Sequence, residues 1–137
     1  MSEEVKHVLV AEDNMATATA IRYNLEKAGL KVTVARCGES AWKLLSERDF
    51  DLVVSDFQMP GMTGGQLCEK MGQEPRLAGI PMILLTAKAL EPDSTHPLQV
   101  LRSLGVVPLR RIMPKPFSPR ELVQTARELL EAGAATS

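Results

Sequence analysis

The sequence predicts an α/β fold, a (βα)5 doubly wound parallel sheet carrying helices on both faces. Two observations predict it. The apolar runs Val8-Leu9-Val10-Ala11, Leu52-Val53-Val54-Ser55 and Met82-Ile83-Leu84-Leu85 are continuous rather than alternating, as expected of strands buried on both faces. The stretches between them repeat their apolar residues at helical spacing, and strands alternating with helices imply a parallel sheet with right-handed crossovers.

Taken in order, Val8 to Ala11 form strand one. A helix suits residues 15 to 28, with Ala18, Ile21, Leu25 and Ala28 on one face and Gly29 where a C-terminal cap would stand. Val32-Thr33-Val34 is a second strand whose polar neighbours suit a sheet edge, and Ala41, Leu44 and Leu45 mark a short second helix. Strand three runs from Leu52 straight into Asp56. Gly61, Gly64 and Gly65 make a flexible loop before a helix through Leu67, Cys68 and Met71. Strand four ends at Thr86. Residues 89 to 110 give no clear element: Pro92 and Pro97 limit any helix, although Leu98, Leu101 and Leu104 share a face. Ile112-Met113 is a weak fifth strand stopped by Pro114 and Pro116. The last helix has a capping box, with Ser118 at the N-cap, Pro119 at the first helical position and Glu121 three residues on. Its apolar face is Leu122, Ala126, Leu129 and Leu130.

Composition excludes several classes of function. The 137 residues are 45% hydrophobic and 24% charged, suited to one globular domain that folds without disulfides or structural metal. Cys37 and Cys68 form no CxxC pair and have no His cluster beside them, which argues against zinc; a buried free thiol at Cys68 fits a reduced, cytoplasmic setting. No apolar run reaches the roughly 20 residues of a membrane span, and the polar start MSEEVKH is no signal peptide. A net charge of −1 gives no electrostatic case for nucleic acid.

The chemistry collects at the strand ends. Ligands of open parallel sheets sit beyond the carboxyl ends of the strands, where strand order reverses. Glu12 and Asp13 end strand one, Asp56 ends strand three, Thr86 ends strand four and Lys115 follows strand five. In the order 2-1-3-4-5, strands one and three are neighbours and three carboxylates meet. Such a cluster raises a pKa or binds a cation, and oxygen-only ligation suits Mg2+. Asp56 would then be the nucleophile toward a phosphoryl group, with Lys115 neutralising its oxygens and the Thr86 hydroxyl donating a hydrogen bond. Each residue alone has a plainer role as a turn, cap or surface charge. Their joint occurrence at four strand ends favours the chemical one.

From about Val5 to Leu130 the chain resembles a response-regulator receiver domain of two-component signalling, of the chemotaxis-regulator type. The resemblance rests on Val8-Leu9-Val10-Ala11-Glu12-Asp13-Asn14, on Asp51 through Gly64 with its Ser55-Asp56-Phe57-Gln58-Met59-Pro60-Gly61 centre, on Leu84-Leu85-Thr86-Ala87 and on Lys115-Pro116-Phe117. It implies a flavodoxin-like sheet in the order 2-1-3-4-5, a receiver domain over 5–131 and a tail or linker over 132–137. By position, Asp56 matches the phosphoacceptor, Asp13 the direct metal-binding acid and Glu12 the acid acting through metal-bound water. The backbone carbonyl of Gln58 would complete the protein's share of the Mg2+ shell. Thr86 and Lys115 match the switch hydroxyl and phosphate-contacting lysine, and the small Ala87 leaves room for the phosphoryl group. Gln58 and Lys88 stand at positions that tune the lifetime of the phosphoryl group. The implied partners are a histidine kinase or phosphotransfer protein and a downstream protein target or output domain. The implied role is a signalling switch rather than an enzyme.

Two departures from the family stand out. Ile112 occupies a position usually held by Tyr or Phe, so threonine–aromatic coupling cannot operate in its usual form. The interval from Thr86 to Lys115 is lengthened and holds Pro92, Pro97 and Pro108, which makes the region of the family's helix four atypical. These leave a second reading, an interaction module that keeps the fold without using phosphorylation. A cofactor-binding flavodoxin-like protein would need a Ser/Thr/Gly phosphate loop after strand one, where this chain has acidic Glu12-Asp13-Asn14.

Overall fold

The computed structural model describes residues 5–59, 61–86, 108–115 and 117–135, with side chains described up to Glu131. Five strands, β1 (His7–Ala11), β2 (Lys31–Ala35), β3 (Leu52–Asp56), β4 (Met82–Thr86) and β5 (Leu109–Pro114), lie in one sheet. The helices are α1 (Met15–Lys27), α2 (Gly38–Glu47), α3 (Gly64–Gln73) and the C-terminal helix, numbered α4 as the fourth among the described residues (Pro119–Ala135). Every strand pair is parallel and the order is β2-β1-β3-β4-β5, as the sequence predicted, with β2 at an edge.

The continuous apolar runs are explained by two cores. Leu9, Val53 and Leu84 point to the face covered by α2 and α3, where they meet Ala41, Leu45, Leu67, Cys68 and Met71. Val8, Val10, Val54 and Leu85 point to the other face, against Ile21 and Leu25 of α1 and Leu122 and Ala126 of α4. Successive side chains of a strand alternate faces, so a strand with a core on each side has no polar positions to spare. Each fully buried Leu or Ile contributes about 1.5–3 kcal/mol.

Helix ends follow local chemistry. Asn14 Oδ1 accepts from Thr17 N (2.9 Å), the N-cap of α1. At the other end Leu30 N bonds Leu25 O and Gly29 N bonds Glu26 O, a Schellman motif in which Gly29 takes φ +92°. For α4, Ser118 Oγ accepts from Glu121 N at 3.5 Å.

Two expectations change. Gly64 and Gly65 are not loop residues but the buried first turn of α3, capped by a Thr63/Gln66 capping box. At Gly64, a Cβ would collide with the Asp56 carbonyl oxygen, so glycine lets the helix start against the end of β3. β5 begins at Leu109, three residues before the predicted Ile112-Met113. The register slips between Met82 and Ile83, whose partners are Leu109 and Arg111. That irregularity, together with exposed Arg110 and Arg111 on an edge strand, removes the apolar run that marks the other strands. The expected irregular segment 89–110 lies outside the described residues up to Val107, as do Ala87 and Lys88.

Candidate functional site

The candidate site forms where β1, β3, β4 and β5 end side by side. Ala11 pairs with Ser55, so the residues that follow, Glu12 and Asp56, are brought next to each other at the switch in strand order. Glu12 is held at the sheet edge of the loop by its N–H, which donates to Ala35 O (3.0 Å). Its side chain is completely buried. One carboxylate oxygen accepts from Lys115 Nζ (2.9 Å) and the other from Asn14 N (3.1 Å). The Asn14 residue thus caps α1 with its side chain and orients Glu12 with its backbone.

Lys115 Nζ also lies 3.4 Å from Asp56 Oδ1, bridging the two buried acids. Its backbone N–H donates to Thr86 O at 2.6 Å, which ties the residue after β5 to the end of β4. Asp56 and Thr86 are themselves buried, while Asp13 stands at the exposed rim. Oxygens of Glu12, Asp13 and Asp56 all lie within 4.8 Å of one another, and among the described residues no other His/Cys/Asp/Glu group is so arranged.

The electrostatics follow from burial. Removal from water pushes the Glu12 carboxyl above its usual range, and the nearby Asp56 charge adds to this, while the hydrogen bonds from Lys115 and Asn14 N–H hold it back. Burial alone would lower the Lys115 pKa; its bond to Glu12 and the charge of Asp56 outweigh that, so the ammonium is held above its ordinary value. Three carboxylates facing one ammonium leave an excess of negative charge. Oxygen donors this close are the ligand set of a hard divalent cation, so the residues fit Mg2+.

Of the residues singled out in the sequence, Glu12, Asp13, Asp56 and Lys115 come together directly, and Thr86 joins them through Lys115. Gln58 lies exposed in the loop two residues beyond Asp56, and Ala87 lies outside the described residues. Sequence reasoning missed Ser55, buried with its hydroxyl donating to the Asp56 carbonyl (3.0 Å). A serine ending an apolar strand is its only sequence signal. A groove of about 650 Å³ between α1 and α4, lined by Lys27, Arg120 and Arg127 among others, contains none of these residues. Concavity alone does not mark the site.

Comparison with known proteins bears on the family and the fold. A sequence profile of the response regulator receiver domain matches residues 8–127. The phosphate regulon transcriptional regulatory protein of Rhizobium meliloti is 34% identical over 123 residues, 90% of this chain and 51% of the relative. The chain spans about half the length of the curated relatives it matches. Among solved structures, the signal receiver domain of a histidine kinase from Syntrophus aciditrophicus is 31% identical with a TM-score of 0.81, over 93% of this chain and 92% of that one. The receiver domain of a sensor histidine kinase from Pseudomonas aeruginosa, which holds a magnesium ion in its active-site cleft, shares the fold (TM-score 0.80, 24% identical, 93% of this chain and 99% of that one). The chain therefore belongs to the response regulator receiver domain family of two-component systems.

Proposed function

We propose that the domain, over 5–131 with 132–137 as tail or linker, takes a phosphoryl group from a histidine kinase or phosphotransfer protein onto the Asp56 carboxylate. The observation that carries this is the meeting of Glu12, Asp13 and Asp56 within 4.8 Å, with Lys115 Nζ 3.4 Å from Asp56. An Asp56 oxygen forms the new P–O bond as the donor's bond to phosphorus breaks, giving an acyl phosphate. Lys115 then balances charge on the phosphoryl oxygens, and the Thr86 hydroxyl donates to one of them. Ala87 supplies a side chain small enough to admit the group. Asp13, Asp56 and the Gln58 carbonyl would hold Mg2+ directly, with Glu12 acting through water. When bound, the ion neutralises developing phosphoryl charge.

The reaction is stoichiometric, which makes the domain a switch whose own catalysis is limited to accepting and slowly losing the group. A net charge of −1 supports signalling to a downstream protein or output domain rather than direct contact of this domain with nucleic acid, although its relatives include a transcriptional regulatory protein. Free thiols at Cys37 and Cys68 suit a reducing cytoplasm. No described helix is long and apolar enough to cross a membrane.

The test is intact mass after exposure to a small acyl-phosphate donor with and without Mg2+. One phosphoryl group should be gained only with Mg2+, and Asp56→Asn should gain none while keeping its circular dichroism. No gain on the wild type would favour a phosphorylation-independent interaction module.

A further inference from the structure

The loop joining Asp56 to α3 is pinned at several points. At its start, Phe57 N donates to Leu85 O (2.8 Å) and Phe57 O accepts from Gly64 N (2.9 Å). Phe57 and Met59 are buried in the core beneath it. Near its end, Met62 is pressed against the first residue of α2. A Cβ on Gly38 would run into the Met62 carbonyl oxygen and come within 2.7 Å of the Met62 Cβ. Next to it, Glu39 Oε1 occupies the space a side chain at Gly61 would need.

Gly38 and Gly64 are glycines for reasons of space, since among the described residues only Gly29 and Gly61 take positive φ. Gly64 lets α3 start against the Asp56 carbonyl; Gly38 lets α2 close on the same loop from the other side. The backbone between them carries Gln58, whose carbonyl the acceptor reading places in the Mg2+ shell. The first turn of α2 meets the loop at Met62, against Gly38, and at Gly61, beside Glu39.

We propose that Gly38 is a positioning residue for the acceptor site: by admitting Met62 against α2 it fixes the loop that offers the Gln58 carbonyl to Mg2+. This rests on the proposed Mg2+-dependent acceptor function. Positioning errors of this kind weaken metal binding without removing a ligand.

The experiment titrates Mg2+ in the phosphodonor reaction of wild type, Gly38→Ala and Gly79→Ala, read by intact mass. Gly79 has open space around it and no positive φ, so its alanine variant should match wild type. Gly38→Ala should need about 10-fold more Mg2+ for half-maximal rate, as expected when a support of the metal site is displaced. At saturating Mg2+ its rate should return close to wild type, a recovery that general destabilisation would not produce. A wild-type Mg2+ dependence in folded Gly38→Ala overturns the proposal. If Gly38→Ala does not fold, Met62→Gly, which removes the Met62 side chain from the same contact without adding volume, should show the Mg2+ shift, and its absence there overturns the proposal equally. A wild-type protein that gains no phosphoryl group would instead overturn the acceptor function beneath it.

Discussion

Glu12 is fully buried and ionisable, and Lys115 is the cation that offsets its charge. Replacing Lys115 with Met should cost about 1–3 kcal/mol at neutral pH, because a buried acceptor loses its charged donor. Urea unfolding at pH 7 checks this, and an unchanged midpoint would contradict it. His7 sets a pH response of its own. Burial lowers its pKa, helped by Lys31 and Arg48 and opposed by Asp51, while its ring contacts Phe50 and its Nε2 meets Thr33 Oγ1 at 2.7 Å. With a folded pKa below the unfolded one, the unfolded chain takes the proton first. Stability is therefore full above about pH 6.5 and is lost as pH falls through the folded value. His7→Gln should flatten the fall in melting temperature between about pH 7 and 5; an unaltered slope would assign that fall to other groups. The cysteines differ in the same way. Burial pushes the Cys68 thiol up to about 12, whereas hydrogen bonds from Ser40 lower that of Cys37. Iodoacetamide at pH 7.5 should label Cys37 in the folded protein and reach Cys68 only after unfolding.

At the scale of elements, helix ends give the clearest tests. Thr63→Ala removes the side-chain cap of α3 and should cost about 1 kcal/mol. Gly29→Ala must place a Cβ at φ +92°, and should cost about 1 kcal/mol although the space around it is open. Chemical denaturation measures both, and a stabilised Gly29→Ala would refute the left-handed cap. The elements also show what sequence can carry. β1, β3 and β4 were readable because burial on two faces forces an unbroken apolar run, and α1 because Ala18, Ile21 and Leu25 keep its period. β5 extends beyond its short apolar pattern because an edge strand with a register slip tolerates Arg110 and Arg111. Gly64 and Gly65 suit a loop on sequence alone because glycine propensity is a local property. The place of Gly64 at the start of α3 depends on its close approach to the Asp56 carbonyl, 8 residues earlier in the chain.

For the molecule as a whole, the parallel order β2-β1-β3-β4-β5 makes one site from residues as far apart as Glu12 and Lys115. Strand ends were visible in the sequence, so the residues themselves could be named. Their pairing could not: that Lys115 bridges Glu12 and Asp56, that Asn14 N–H orients Glu12 and that α2 braces the loop after Asp56 follow only from three-dimensional packing. The proposed acceptor function requires this assembly to direct phosphoryl transfer to one carboxylate out of three. An acyl phosphate on aspartate is reduced by borohydride to homoserine, which marks the modified residue permanently. The most direct measurement is therefore borohydride trapping after Mg2+ and phosphodonor treatment, followed by peptide mass mapping. Homoserine at position 56 alone is the predicted result; homoserine at position 13, or none at all, would contradict it.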